Sequence, residues 1–141
     1  MDTNASNFFS CRITRVRHGA ILTEVSLATP GGQALVSVVT SESFERMVLS
    51  EGAGVMALVK PAEVLVGKDG VRPRLSARNS FAGTVASIRG DGVAVEVTGR
   101  LDGGPPMCAL ITARSLESLV IRVDDAVCFF FKAFNVILSA E

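Results

Sequence analysis

Two Thr-x-x-Ser segments, Thr40 to Ser43 and Thr112 to Ser115, stand where a strand-like stretch gives way to a helical one. Two lysines, Lys60 and Lys132, each close an apolar, strand-like run. Hydroxyls, ammonium groups and uncovered backbone N–H groups all donate hydrogen bonds, and a helix N-terminus adds the positive end of its dipole. Such a set suits a small oxyanion, which needs donors from several directions and little else. Other chemistry is not on offer. His18 lies alone in Arg17-His18-Gly19, a segment that predicts a surface turn, and no Ser/His/Asp or Cys/His constellation accompanies it, so the chain is not predicted to be an enzyme. Cys11, Cys108 and Cys128 show neither CxxC nor Cys/His ligand spacing. They predict reduced, buried thiols, with no disulfide framework and no directly ligated metal.

The elements that must position these residues are bounded by composition. The chain has 141 residues, enough for one ordinary domain or two very small ones. Small units bury too little surface to stand alone, so they are expected to lean on one another or on further copies. A hydrophobic fraction of 48% sharpens that expectation, because so much apolar surface has to be covered somewhere. The longest apolar run, Ala126 to Phe131, is strand-sized, far short of the ~18 residues of a membrane span. An acid near the N-terminus and the lack of a long apolar core argue against a signal peptide, so a cytoplasmic location is predicted, with no membrane partner. Lys+Arg and Asp+Glu are both 14; this balance argues against a general affinity for nucleic acid, while leaving room for one local cationic pocket.

The strongest organising signal is internal. Shifted by 72 positions, the chain aligns with itself without a gap: Asn7 falls on Asn79 (79 − 7 = 72), Phe9 on Phe81, Arg17 on Arg89, Glu24-Val25 on Glu96-Val97, and Gly31-Gly32 on Gly103-Gly104. Thr40, Ser43, Val55, Lys60 and Val64 fall on Thr112, Ser115, Val127, Lys132 and Val136. Two units follow, residues 1–68 and 76–141, joined by a turn-rich linker at 69–75. Within the first, alternation through Cys11, Ile13 and Val16, then Ile21 to Leu27, Ala34 to Val39 and Val55 to Val59, predicts short strands. Thr29 to Gly32 and Leu101 to Pro105 predict hairpin turns. The helical signal is Thr40 to Met47, with a hydroxyl cap and an acid in the first turn. Five short strands and one small helix per unit predict an all-β chain of two tandem OB-like Greek-key barrels, with a strand-rich sandwich as the alternative. The run Phe129-Phe130-Phe131 would suit base stacking on an OB surface, but its copy Ala57-Leu58-Val59 is core-like, which favours burial or a subunit interface.

The second copy opens Ser76-Ala77-Arg78-Asn79, continues through Gly83-Thr84-Val85, a Gly-Gly hairpin and Thr-x-x-Ser, and closes on Lys132-Ala133-x-x-Val136-Ile137. This pattern resembles the Mop domain of the molbindins, and two copies resemble the di-Mop members over essentially the whole chain. The resemblance implies binding of molybdate or tungstate for intracellular molybdenum storage or homeostasis, with no organic cofactor, in a homotrimer that holds anions between subunits. It also implies a site that joins the Ser and Arg of SARN and the strand-end Lys of one unit to the Thr-x-x-Ser of another. On this chain those residues are Ser76, Arg78, Lys60, Lys132, Thr40, Ser43, Thr112 and Ser115. The alternative reading, from the barrel type alone, is a module for nucleic acid or a protein partner. Three departures from the family pattern stand out: Ser6 replaces the SARN arginine in the first copy, Phe134 follows the second lysine, and Arg114 takes the place of Glu42.

Overall fold

The computed structural model describes residues 7–68 and 74–140. In the first half, β1 (Asn7–His18), β2 (Leu22–Ala28) and β3 (Ala34–Thr40) form a meander; α1 (Ser41–Met47) follows, then β4 (Gly54–Val59), a 3-10 turn (Pro61–Glu63) and β5 (Leu65–Lys68). The second half repeats the order with β6 (Asn79–Gly90), β7 (Ala94–Leu101), β8 (Met107–Thr112), α2 (Ala113–Leu119), β9 (Ala126–Phe131), a 3-10 turn (Ala133–Asn135) and β10 (Ile137–Ala140). The chain is all-β, in two curled, OB-like five-stranded sheets. Each curl has a local cause. An extra residue in β1, Thr14, shifts the register against β2 between Ile13 and Arg15, and Ala86 does the same in β6 between Val85 and Ser87. A bulge of this kind bends and twists its strand, so the first part of β1 pairs with β4 and the rest with β2. Among the described residues no helix is long and apolar enough to cross a membrane.

The sheets do not follow the sequence repeats. The first sheet runs β10-β4-β1-β2-β3 and the second β5-β9-β6-β7-β8, so each half gives its fifth strand to the other. Residues 65–68, expected in the first unit, pair with β9, and residues 137–140 pair with β4. The cause is the 3-10 turn before each exchanged strand: Pro61–Glu63 packs against β8 and Ala133–Asn135 against β3, which carries the chain across to the other half. Lys68 then pins β5, with Nζ donating to Asp125 Oδ2 at 2.7 Å and to the Val120 carbonyl.

Equivalent residues meet at a pseudo-two-fold axis. Phe9 stacks on Phe81 with ring centroids 5.7 Å apart. Gly31 lies against Gly103 so closely that a Cβ at Gly31 would run into the Gly103 carbonyl. One continuous hydrophobic core includes buried residues of both halves, and the stack of Phe81 on Phe131 extends it into β9. Phe129, Phe130 and Phe131 are all buried, as their core-like copy implied.

Packing compensates for the divergence of the copies. Phe129 replaces Ala57 of the first half, while Gly99 replaces Leu27, since 129 − 57 = 72 and 99 − 27 = 72. The Phe129 ring fills the space that the glycine leaves: a Cβ at Gly99 would stand 2.5 Å from it. Phe129→Ala should therefore cost about 3–5 kcal/mol, as large-to-small changes in aromatic cores do. Adding Gly99→Leu to that variant, which copies the first half's arrangement, should recover a substantial part. Denaturant unfolding of the parent and both variants measures this, and a double variant no more stable than Phe129→Ala alone would contradict it.

Candidate functional site

The side chains that join the halves also frame the site. Asn79, the last residue of SARN, is buried and bonds both polar groups of one peptide-bearing residue across the junction: its Oδ1 accepts from the Val36 N–H at 2.7 Å and its Nδ2 donates to the Val36 carbonyl at 2.8 Å. Asn7 does the same for Cys108, at 2.6 and 2.8 Å, and its Nδ2 also reaches the Val59 carbonyl. Val36 and Cys108 are themselves 72 apart. They sit in β3 and β8, the edge strands, whose outer N–H and C=O groups would otherwise be unpaired. An asparagine amide presents one acceptor and one donor, so it can stand in for a strand partner.

Arg78 immediately precedes this clamp. Asn79 pairs with Phe131 in the β6–β9 ladder, so Arg78 and Lys132 lie one step beyond its end, opposite each other. Lys132 leads into the 3-10 turn that packs on β3, and its Nζ lies 5.9 Å from the ring centroid of the exposed Phe134. The backbone register thus sets Arg78 across from Lys132, with Ser76 two residues upstream and exposed. Lys60 occupies the equivalent place beyond the Asn7–Val59 pair, and its turn packs on β8. Ser6, the counterpart of Arg78 in the repeat, lies outside the described residues.

Thr40 and Thr112 are helix caps. Each Oγ1 accepts from the backbone N–H of the serine three residues on, at 3.1 Å for Ser43 and 3.0 Å for Ser115, and donates to that serine's Oγ at 2.8 and 2.9 Å. The serine hydroxyl, which accepts here, keeps its own proton for a bond outward. All four are exposed. Thr40 ends β3, four residues beyond the Val36 that Asn79 clamps, and at ~3.3 Å per residue that is about 13 Å away. Within one chain the clamped residue Val36 thus lies towards the middle of β3 and Thr40 at its end.

The Arg78 guanidinium spans part of that gap and finds an acid. Its Nη1 stands 3.4 Å from Glu24 Oε1 on β2, and Glu24 also faces Arg17 Nη1 at 4.0 Å. Sequence reasoning identified Arg78 as a donor but missed this counter-ion, because Glu24 is 54 positions away (78 − 24) in the other half. It also missed the role of Asn7 and Asn79, whose identity across the repeat was the available signal. Among the described residues no group of His, Cys, Asp and Glu is arranged to hold a metal ion. The Cys108 thiol is pushed up to about 11 by burial and by the nearby Glu96, so it stays protonated at neutral pH and is a poor nucleophile.

The TOBE domain family matches twice, over residues 3–66 and 75–138. This chain belongs to that family. The two matched units are the two repeats, and the molbindin resemblance read from SARN and the 72-residue shift is borne out by the relatives. The molybdenum transport protein ModE of Herbaspirillum seropedicae is 31% identical over 141 residues, covering 100% of this chain and 52% of the relative. The molybdenum-pterin-binding protein MopA of Rhodobacter capsulatus is 34% identical over 139 residues, covering 99% and 52%. The chain thus spans about half the length of these curated relatives. A solved structure of the cytoplasmic molybdate-binding protein ModG, with molybdate bound, superposes with a TM-score of 0.93 at 35% identity and covers 100% of both chains.

The clamp assigned to Asn79 has a direct check. Asn79→Ala leaves the Val36 N–H and carbonyl without their partner, and a buried polar group so orphaned costs about 1–3 kcal/mol. Asn79→Asp keeps the acceptor for the Val36 N–H but sets a carboxylate against the Val36 carbonyl, and should be at least as harmful. Chemical denaturation should show both losses; an Asn79→Ala protein as stable as the parent would remove the clamp from the account.

Proposed function

We propose that this chain binds molybdate and tungstate as an oxyanion-binding protein of the tandem TOBE kind, in the cytoplasm, without catalysing a reaction. The observation that carries this reading is the match to the molybdate-bound ModG structure, end to end on both chains. The donor chemistry agrees with it. Arg78, Lys132 and Ser76 offer charge and hydrogen bonds beside the clamped Val36 of β3, and Thr40 with Ser43 offers hydroxyls at that strand's end; Lys60, Thr112 and Ser115 repeat the pattern on β8. A buried dianion is costly to desolvate unless such groups surround it. By the molbindin resemblance, a complete cage is built where the Thr-x-x-Ser of another copy meets the Arg78–Lys132 pair. The working form proposed here is the homotrimer that the di-Mop resemblance implies, with anions between subunits.

Several exposed apolar residues recur in both halves, as a repeated interface requires: Ile21 and Val93, Val48 and Val120, Leu65 and Ile137. Both anions are tetrahedral dianions of nearly equal size, so a cage that reads shape and charge takes both, and the smaller sulfate less well.

Titration calorimetry should give binding of molybdate and tungstate, and light scattering a mass near three times 14.8 kDa. Arg78→Ala should weaken binding about tenfold to a hundredfold, the worth of one charged hydrogen bond of ~1.5–3 kcal/mol. Ser6→Ala should do much less. No uptake of either anion at low ionic strength defeats the binding reading, and a monomer at micromolar concentration defeats the shared cage.

A further inference from the structure

The geometry points to Glu24 as a positioning residue that tunes the Arg78 anion site: its carboxylate holds the guanidinium from across the junction, and an incoming oxyanion has to displace it. The inference rests on the oxyanion reading above. Glu24 lies between the fully buried Thr23 and Val25 on β2, so its own side chain points to the outer face of the sheet. There it is flanked by Arg17 on β1 and Val38 on β3, its direct cross-strand neighbours. Val36, Val38 and Thr40 alternate onto that same outer face of β3. Arg78 enters from the second half beside the Asn79–Val36 clamp and ends at Glu24, 3.4 Å from Oε1. The guanidinium is thus drawn along β3 toward Thr40, while the fork that would grip an oxyanion faces a carboxylate.

A carboxylate and an oxyanion compete for the same donors, because both offer anionic oxygen acceptors to a guanidinium. Glu24 therefore acts twice. It holds Arg78 in place before the anion arrives, and it repels the anion afterwards, twice as strongly for a dianion as for a monoanion at equal distance. The device belongs to one half only. Ser6 stands where the other arginine would be, and Glu96, the copy of Glu24, faces the Cys108 thiol instead. One class of sites thereby carries a built-in competitor, which sets both its affinity and its preference among anion charges.

The test is calorimetric titration of the full chain with molybdate and with perrhenate, a tetrahedral monoanion, for the parent, Glu24→Gln, Glu96→Gln, Glu24→Asp and the double variant Glu24→Gln/Arg78→Ala. Glu24→Gln should tighten molybdate about threefold to tenfold, the scale of an exposed ion pair together with relieved repulsion. Perrhenate should gain less. Glu96→Gln should match the parent, Glu24→Asp should bind no more tightly than Glu24→Gln, and once Arg78 is alanine the gain from the glutamine should shrink to the smaller part that direct repulsion supplies. A purely structural role for Glu24 would change affinity by the same factor whether or not Arg78 is present. Unchanged molybdate affinity in Glu24→Gln, or a gain that is undiminished without Arg78, overturns this proposal while leaving the binding reading intact. A parent that takes up neither molybdate nor tungstate overturns both.

Discussion

The exchange of the fifth strands is the constraint on which the rest of the molecule depends. Each curled sheet is completed by a strand from the other repeat, so β4 and β9 lack an outer neighbour unless both halves are in place. An unpaired edge exposes a row of backbone donors and acceptors. Strand exchange at one edge and the asparagine clamps at the other provide partners for both edges. The paired phenylalanines and the touching Gly31 and Gly103 follow from the same arrangement, since equivalent residues can meet only on the axis that relates the halves. The size of each unit gives the reason. About 65 residues bury too little apolar surface for a robust core, and interlocking turns two marginal units into one.

The same interlock builds the candidate site. The 3-10 turns that throw β5 and β10 across the junction begin at Lys60 and Lys132, and the strands that receive the clamps end at Thr40 and Thr112. A lysine at the start of a crossing and a hydroxyl at the end of the clamped strand are thus consequences of a single topology, repeated twice. The two repeats have drifted within it. Where the second carries Phe129 and Gly99 the first carries Ala57 and Leu27, a volume-conserving rearrangement that keeps the core filled. Where the second carries Arg78 the first carries Ser6, so a positive charge stands in one copy and not in the other. Symmetry of fold and asymmetry of charge coexist because the core constrains volume closely and the surface constrains charge loosely.

The all-β class, the repeat, the hairpins and the capped helices were legible in the sequence, because each is set by local pattern: alternation for strands, Gly-Gly for the turns, and a hydroxyl followed by an acid for α1. The burial of Phe129 to Phe131 was legible too, through comparison with Ala57 to Val59. So was the family, because SARN and the 72-residue register are linear features.

The sequence by itself could not assign β5 and β10, which are four-residue strands. An apolar run of that length is satisfied equally by its own sheet or its neighbour's. Only the tertiary structure decided it, through the packing of the 3-10 turns on the opposite half. The same holds for the partners of Asn7, Asn79 and Arg78, which lie between 43 and 101 residues away. A hydrogen bond or an ion pair specifies geometry and charge but leaves no trace of sequence distance. The sequence therefore determined which groups the protein can offer an anion, and the crossing of its two halves determined which of them meet.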